Sequence, residues 1–164
     1  MKKEKKVLSY AAKHNRILKR YERNVTTFLM IALLNFVGTL LSVTRGTSDF
    51  FPSLSLQTIL CRLLSSTSLP TLGYGLIAIA LSFLMGVPFV FAWQFSKKGN
   101  RIALICGVVG YLVDFGLIFL LTQEIFWTQL FLHLVILVFL LFAVIDYESI
   151  VALAKKQERS RKDL

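Results

Sequence analysis

Two side chains in this sequence can titrate while surrounded by apolar residues: Asp114, within Ile102–Leu121, and His133, within Thr128–Ile145. A carboxylate and an imidazole held together can hold or relay a proton near neutral pH, because each shifts the other's protonation. An ionised Asp in hydrocarbon costs about 2.5–3.5 kcal/mol even by the gentlest insertion scales, so Asp114 must meet a partner. Asn35 and Ser82 supply the other polar groups inside apolar sequence. Counted from the outer ends of their segments, Asn35, Ser82, Asp114 and His133 all lie roughly 7–14 Å deep at helical rise. Three chemistries are open to such a cluster: a hydrogen-bonded core, a ligand or proton site, or a seat for a partner helix.

Catalysis is not among them. Ser82 has no nucleophile motif around it, and His14 lies in a basic, solvated stretch. The chain has no Walker A loop, no HExxH, no GxSxG and no dinucleotide fingerprint. Cys61 and Cys106 have neither CxxC nor Cys/His spacing, and they fall in different segments, so no disulfide, metal or cofactor is expected. The expectation is a protein that is not an enzyme.

The elements that position the cluster follow from hydropathy. The chain is 55% hydrophobic and 17% charged, with mean hydropathy +0.66, and its charges crowd into the termini and one short loop. Runs of about 20 apolar residues match a hydrocarbon core of about 30 Å. Four spans are expected, at 25–43, 72–95, 102–122 and 128–145, making an all-α integral membrane bundle over residues 25–146. The first run is too long for a signal-peptide core and lacks a small-x-small cleavage site. Pro88 predicts a kink in the second span. Between the first two spans, Leu56, Ile59, Leu60 and Leu63 share one helical face, which predicts a short helix lying at the interface and leaves Cys61 reachable from outside.

The helix wheel places the polar groups. Ala103, Gly107 and Gly110 share the face of Asp114, and small residues are what membrane helices place at close contacts. Asp114 is therefore expected to point inward, with the side of Phe115, Leu117 and Ile118 left for lipid. Asn35 aligns with Ala32, Gly38, Thr39 and Ser42; Ala78, Ser82 and Gly86 form a small-xxx-small row; His133 lies one turn from Gln129.

Residues 1–24 carry nine Lys and Arg, with Val7, Ala11, Leu18 and Tyr21 at helical spacing. This is a basic amphipathic helix, either lying on an anionic leaflet or extending the first span into water. Nine basic residues there, three in the "SKKGNR" turn (96–101) and five in the 147–164 tail oppose only Arg45 and Arg62 on the other side. That bias puts both termini in the cytoplasm, and Trp93, Tyr147, Tyr74 and Trp127 fall at the expected belts. Lys13, Arg16, Lys19, Arg20, Arg23, Lys97, Lys98 and Arg101 would then face anionic lipid headgroups. The net charge of +10 needs no nucleic acid to explain it. The expected partners are the bilayer and either another membrane protein or a second copy.

The layout resembles a group of small bacterial membrane proteins without known activity, common in Firmicutes. The carrying elements are Asn35, "FFPSLS" (50–55), "SKKGNR", "YLVDFGLIF" (111–119) and "LHLVILVF" (132–139). The resemblance implies the same topology in a bacterial cytoplasmic membrane and no particular reaction. The expected role is a non-enzymatic accessory or regulatory membrane component; the alternative is a proton-coupled or small-solute transporter subunit using Asp114 and His133.

Overall fold

The computed structural model describes residues 2–45, 54–65, 70–121 and 127–162, and every element in it is helical. These are α1 (Lys2–Arg45), α2 (Ser55–Ser65), α3 (Thr71–Lys97), α4 (Arg101–Leu121) and α5 (Trp127–Lys162). Among the described residues, three segments are long and apolar enough to cross a membrane: Tyr10–Arg45, Gly73–Lys97 and Leu130–Arg159. Helices suit such sequence because each satisfies its own backbone groups where no water can. Residues 46–53, with most of the "FFPSLS" stretch, and residues 122–126 lie outside the described residues, as do the side chains of Arg62, Ile118 and Gln129.

The four long helices form a ring: α1 packs on α3 and α5, and α4 completes the circuit between α3 and α5. Their shared core includes Val25, Phe28, Phe89, Ala92, Leu104, Val108, Tyr111, Ile136 and Leu140. Gly107 sets the closest approach. A Cβ there would sit 2.7 Å from the Phe28 ring and 2.8 Å from the Ala92 methyl. Ala78, Ser82 and Gly86 are all buried on α3, with Gly86 against Ala32 of α1.

The turn between α3 and α4 is built from its own residues. Gly99 takes φ +81°, the left-handed conformation that ends a helix, and its N–H donates to the Ser96 carbonyl. Asn100 then caps α4, its Oδ1 accepting from the N–H groups of Ile102 and Ala103 at 3.0 and 3.1 Å. α3 continues through Pro88 as helix.

Of the two forms expected for the basic segment, the structure has the extension: α1 runs as one helix from Lys2 to Arg45. α5 likewise continues past residue 146 to Lys162. Other expectations need correction. Gly110 is exposed with open space where a Cβ would go, and Ala103 is only half-buried. The inward face of α4 is centred on Leu104, Val108 and Tyr111, large residues that fill the ring, and Gly110 falls at its edge. Phe115 and Leu117 are half-buried, while Ile102, Val109 and Val113 face outward.

α2 is the largest departure. It packs on α3 and α4, burying Leu54, Gln57, Thr58 and Cys61 and exposing Leu56 and Leu63. Its polar side faces protein while Leu56 and Leu63 face away, the reverse of a helix resting on a soluble core. Cys61 is fully buried, so it is shielded from outside reagents; Cys106 is exposed on α4, and both thiols are free.

Candidate functional site

The N-terminus of α2 sits on the buried polar cluster. A helix start leaves backbone N–H groups without partners, and α2 has no acidic residue in its first turn. Other helices supply the acceptors. The Leu54 N–H donates to Asn35 Oδ1 at 2.9 Å, and the N–H groups of Ser55 and Leu56 donate to the two oxygens of Asp114, each at 3.0 Å. Asp114 is thus an N-cap delivered from another helix, its charge also favoured by the positive end of the α2 dipole. Such bonds to a carboxylate are charge-assisted and stronger than neutral ones.

Asn35 locks the arrangement to α3. Its Nδ2 donates to the Ser82 carbonyl at 3.0 Å and lies 3.1 Å from Ser82 Oγ. Deeper along α2, Gln57 Nε2 donates to the Ala78 carbonyl at 2.9 Å and approaches Cys61 Sγ at 3.3 Å. The small row Ala78, Ser82 and Gly86 thus presents backbone as well as close packing. Asp114 lies seven residues before the end of α4, so the α2 start is about 10 Å below that end.

His133 completes the group from α5. Its Nε2 is 3.7 Å from Asp114 Oδ2, longer than a hydrogen bond. The imidazole lies between Tyr111 and Phe115, at centroid distances of 5.6 and 5.9 Å with nearly parallel planes. Asn35, Ser82, Asp114 and His133 are all buried, and the structure brings them together as two pairs joined through α2. A cavity of about 20 Å³, lined by Asn35, Leu54, Tyr111 and His133 among others, has room for one water. Tyr111 Oη, Ser55 Oγ and Gln57 Oε1 are buried there or nearby without a hydrogen-bond partner among the described residues. Among the described residues, no three His, Cys, Asp or Glu side chains gather as a metal ion would require.

A second buried cluster lies at the opposite end. Asp146 of α5 is fully buried and accepts from Arg20 Nε at 2.9 Å to each oxygen, from Arg20 Nη2, and from Asn24 Nδ2 at 3.0 Å. Tyr21 Oη donates to the Ser96 carbonyl at 2.7 Å and Tyr147 Oη to the Gly99 carbonyl at 3.2 Å, tying α1 and α5 to the α3–α4 turn.

This changes the assignment of the basic residues. Arg20 is engaged by Asp146 with about half of its side chain still exposed, and Arg101 pairs with Glu148 at 2.8 Å. Lys97 and Lys98 lie over the Trp93 and Phe95 rings at 5.5 and 5.8 Å. Lys13, Arg16, Lys19 and Arg23 are exposed.

Sequence reasoning missed the backbone of Leu54–Leu56, Gln57, Tyr111 and the Arg20–Asn24–Asp146 cluster. A usable signal existed for two of them. Arg20 and Asn24 are four apart on one helix face, and Ser55, Thr58 and Cys61 give α2 a polar side. Compared with known protein families, curated proteins and solved structures, the chain shows no significant match to any.

Proposed function

We propose that this chain is a four-span membrane protein of a bacterial cytoplasmic membrane, with both termini in the cytoplasm. In this reading α4 crosses as well. Its 21 residues span about 31 Å, and the tight turn at 98–100 returns it antiparallel to α3. The exposed Leu56 and Leu63 of α2 support immersion in hydrocarbon, which favours them over water. α2 is then a re-entrant helix whose start is buried in protein, a setting in which helix ends are tolerated at such depth.

The role supported best is a non-enzymatic accessory or regulatory component that acts by binding another membrane protein. The observation that carries it is the engagement of Asp114. Both carboxylate oxygens accept N–H groups of α2, and the adjoining cavity admits a water and no larger solute. A transport carboxylate must exchange its ligand, whereas this one holds an element of the fold. Purification in mild detergent tests the role. A stoichiometric membrane-protein partner is expected; a chain that purifies alone and moves protons in liposomes, with Asp114→Asn abolishing the flux, would overturn it.

A further inference from the structure

Because α1 is unbroken at residue 24, its basic and apolar residues keep one register across the inner interface. Arg16, Lys19, Arg23, Thr26, Met30, Leu33 and Val37 follow one another at spacings of three and four, and all are exposed. Met30, Leu33 and Val37 are 54%, 55% and 45% exposed, an apolar stripe on the outer face of α1, with Leu33 at the edge of a groove shared with α3. A phospholipid stands along the membrane normal with its phosphate directly beyond its acyl chains. One that lies along this apolar stripe carries its phosphate to Arg23 and Lys19, with Arg16 one to two turns further.

The height is fixed by the inner clamp. Tyr21 is tied to Ser96 and Tyr147 to Gly99, which places this part of α1 level with the α3–α4 turn. Arg20 is turned aside to Asp146, and Arg101 is held by Glu148; neither pair uses Arg16, Lys19 or Arg23. A surface groove of about 320 Å³ runs along Arg16, Ile17, Lys19, Arg20 and Arg23. Guanidinium groups suit phosphate oxygens through paired N–H donors, and each basic residue near an anionic leaflet adds attraction.

We infer that the exposed face of α1 is a site for one anionic phospholipid of the inner leaflet, its phosphate held by Arg16, Lys19 and Arg23 and an acyl chain lying on Met30, Leu33 and Val37. This rests on the proposed orientation, with the N-terminus cytoplasmic. The test is native mass spectrometry of the full chain in mild detergent, titrated with phosphatidylglycerol and with phosphatidylcholine. Phosphatidylglycerol should be retained preferentially, and Arg16→Gln/Lys19→Gln/Arg23→Gln should weaken it by on the order of a hundredfold. Lys97→Gln/Lys98→Gln/Arg101→Gln removes equal charge and should change retention by about threefold or less. Circular dichroism checks that both variants stay helical. Equal losses in the two variants would reduce the effect to bulk charge and overturn the site. Full displacement by millimolar glycerol phosphate, or tighter capture of a polyglutamate peptide, would also overturn it, because the chain-binding stripe would then be irrelevant. A reporter fused after Leu164 separates the two failures. If it reads as external, the orientation is wrong; if it reads as cytoplasmic and no lipid preference appears, this site alone is wrong.

Discussion

Replacing Asp114 by Leu should detach the start of α2 while leaving the rest of the ring assembled. Two backbone N–H groups, of Ser55 and Leu56, lose their acceptors. A buried orphan donor costs about 1–3 kcal/mol, although hydrogen bonds inside membrane bundles average only about 0.6 kcal/mol. The two limits bracket a loss of about 2–4 kcal/mol for the pair of donors and the carboxylate's attraction to the helix start. Cys61 reports it directly, since it is fully buried in α2 and its thiol is packed beside Gln57. In a Cys106→Ser background, a membrane-impermeant maleimide added outside should label the native protein slowly. At a factor of ten per 1.4 kcal/mol, Asp114→Leu should speed labelling by roughly 30- to 1,000-fold. Asp114→Asn keeps one acceptor oxygen and should fall between. Native Cys61 labelling as fast as an unfolded thiol, or an Asp114→Leu variant that is folded and still protected, would refute the capping role.

Other perturbations probe the packing and the second cluster. Gly107→Ala should lower the thermal midpoint in detergent by the equivalent of about 1–3 kcal/mol, because its Cβ meets the Phe28 ring and Ala92, whereas Gly110→Ala should be neutral or mildly stabilising. Arg20→Ala should destabilise more than Asp146→Asn, since it strands a fully buried carboxylate while the reverse change leaves a half-exposed guanidinium free to reach water; the order of the two thermal midpoints decides it. Tyr111→Phe should lower the midpoint if a water in the small cavity bonds the Tyr111 hydroxyl, and a raised midpoint would mean that the hydroxyl is buried dry.

What could be read from sequence depended on whether the signal lay in residue types. Apolar runs and segregated charge state a helical membrane protein, and Gly99 followed by Asn100 in "SKKGNR" announces a helix end and a new cap. That Asp114 avoids lipid follows from the cost of its charge there. What it meets could not follow, because its partners are backbone N–H groups of Ser55 and Leu56, which every non-proline residue carries alike. The apolar side of α2 suggested an interfacial helix; the same leucines serve equally well facing lipid from within the bundle, and hydropathy does not distinguish the two. Arg20 resembled its basic neighbours until Asp146, distant in sequence, was placed beside it. The small residues of α4 placed Gly107 and Asp114 on the inward face but also Gly110 and Ala103, which fall at its edge because Tyr111 and Leu104 fill the centre of the ring.

The most direct measurement is amide exchange and chemical shift at Ser55 and Leu56 in the isotope-labelled protein, in detergent or nanodiscs. If Asp114 caps α2 within the bundle, both amide protons exchange far more slowly than those of an exposed turn. Their resonances also lie downfield, as expected for donors to a carboxylate, and Asp114→Asn shifts these two while leaving Ser149 on α5 unmoved. Rapid exchange at both positions in the native protein, or resonances indifferent to Asp114→Asn, would contradict the insertion of α2 and the role assigned to Asp114.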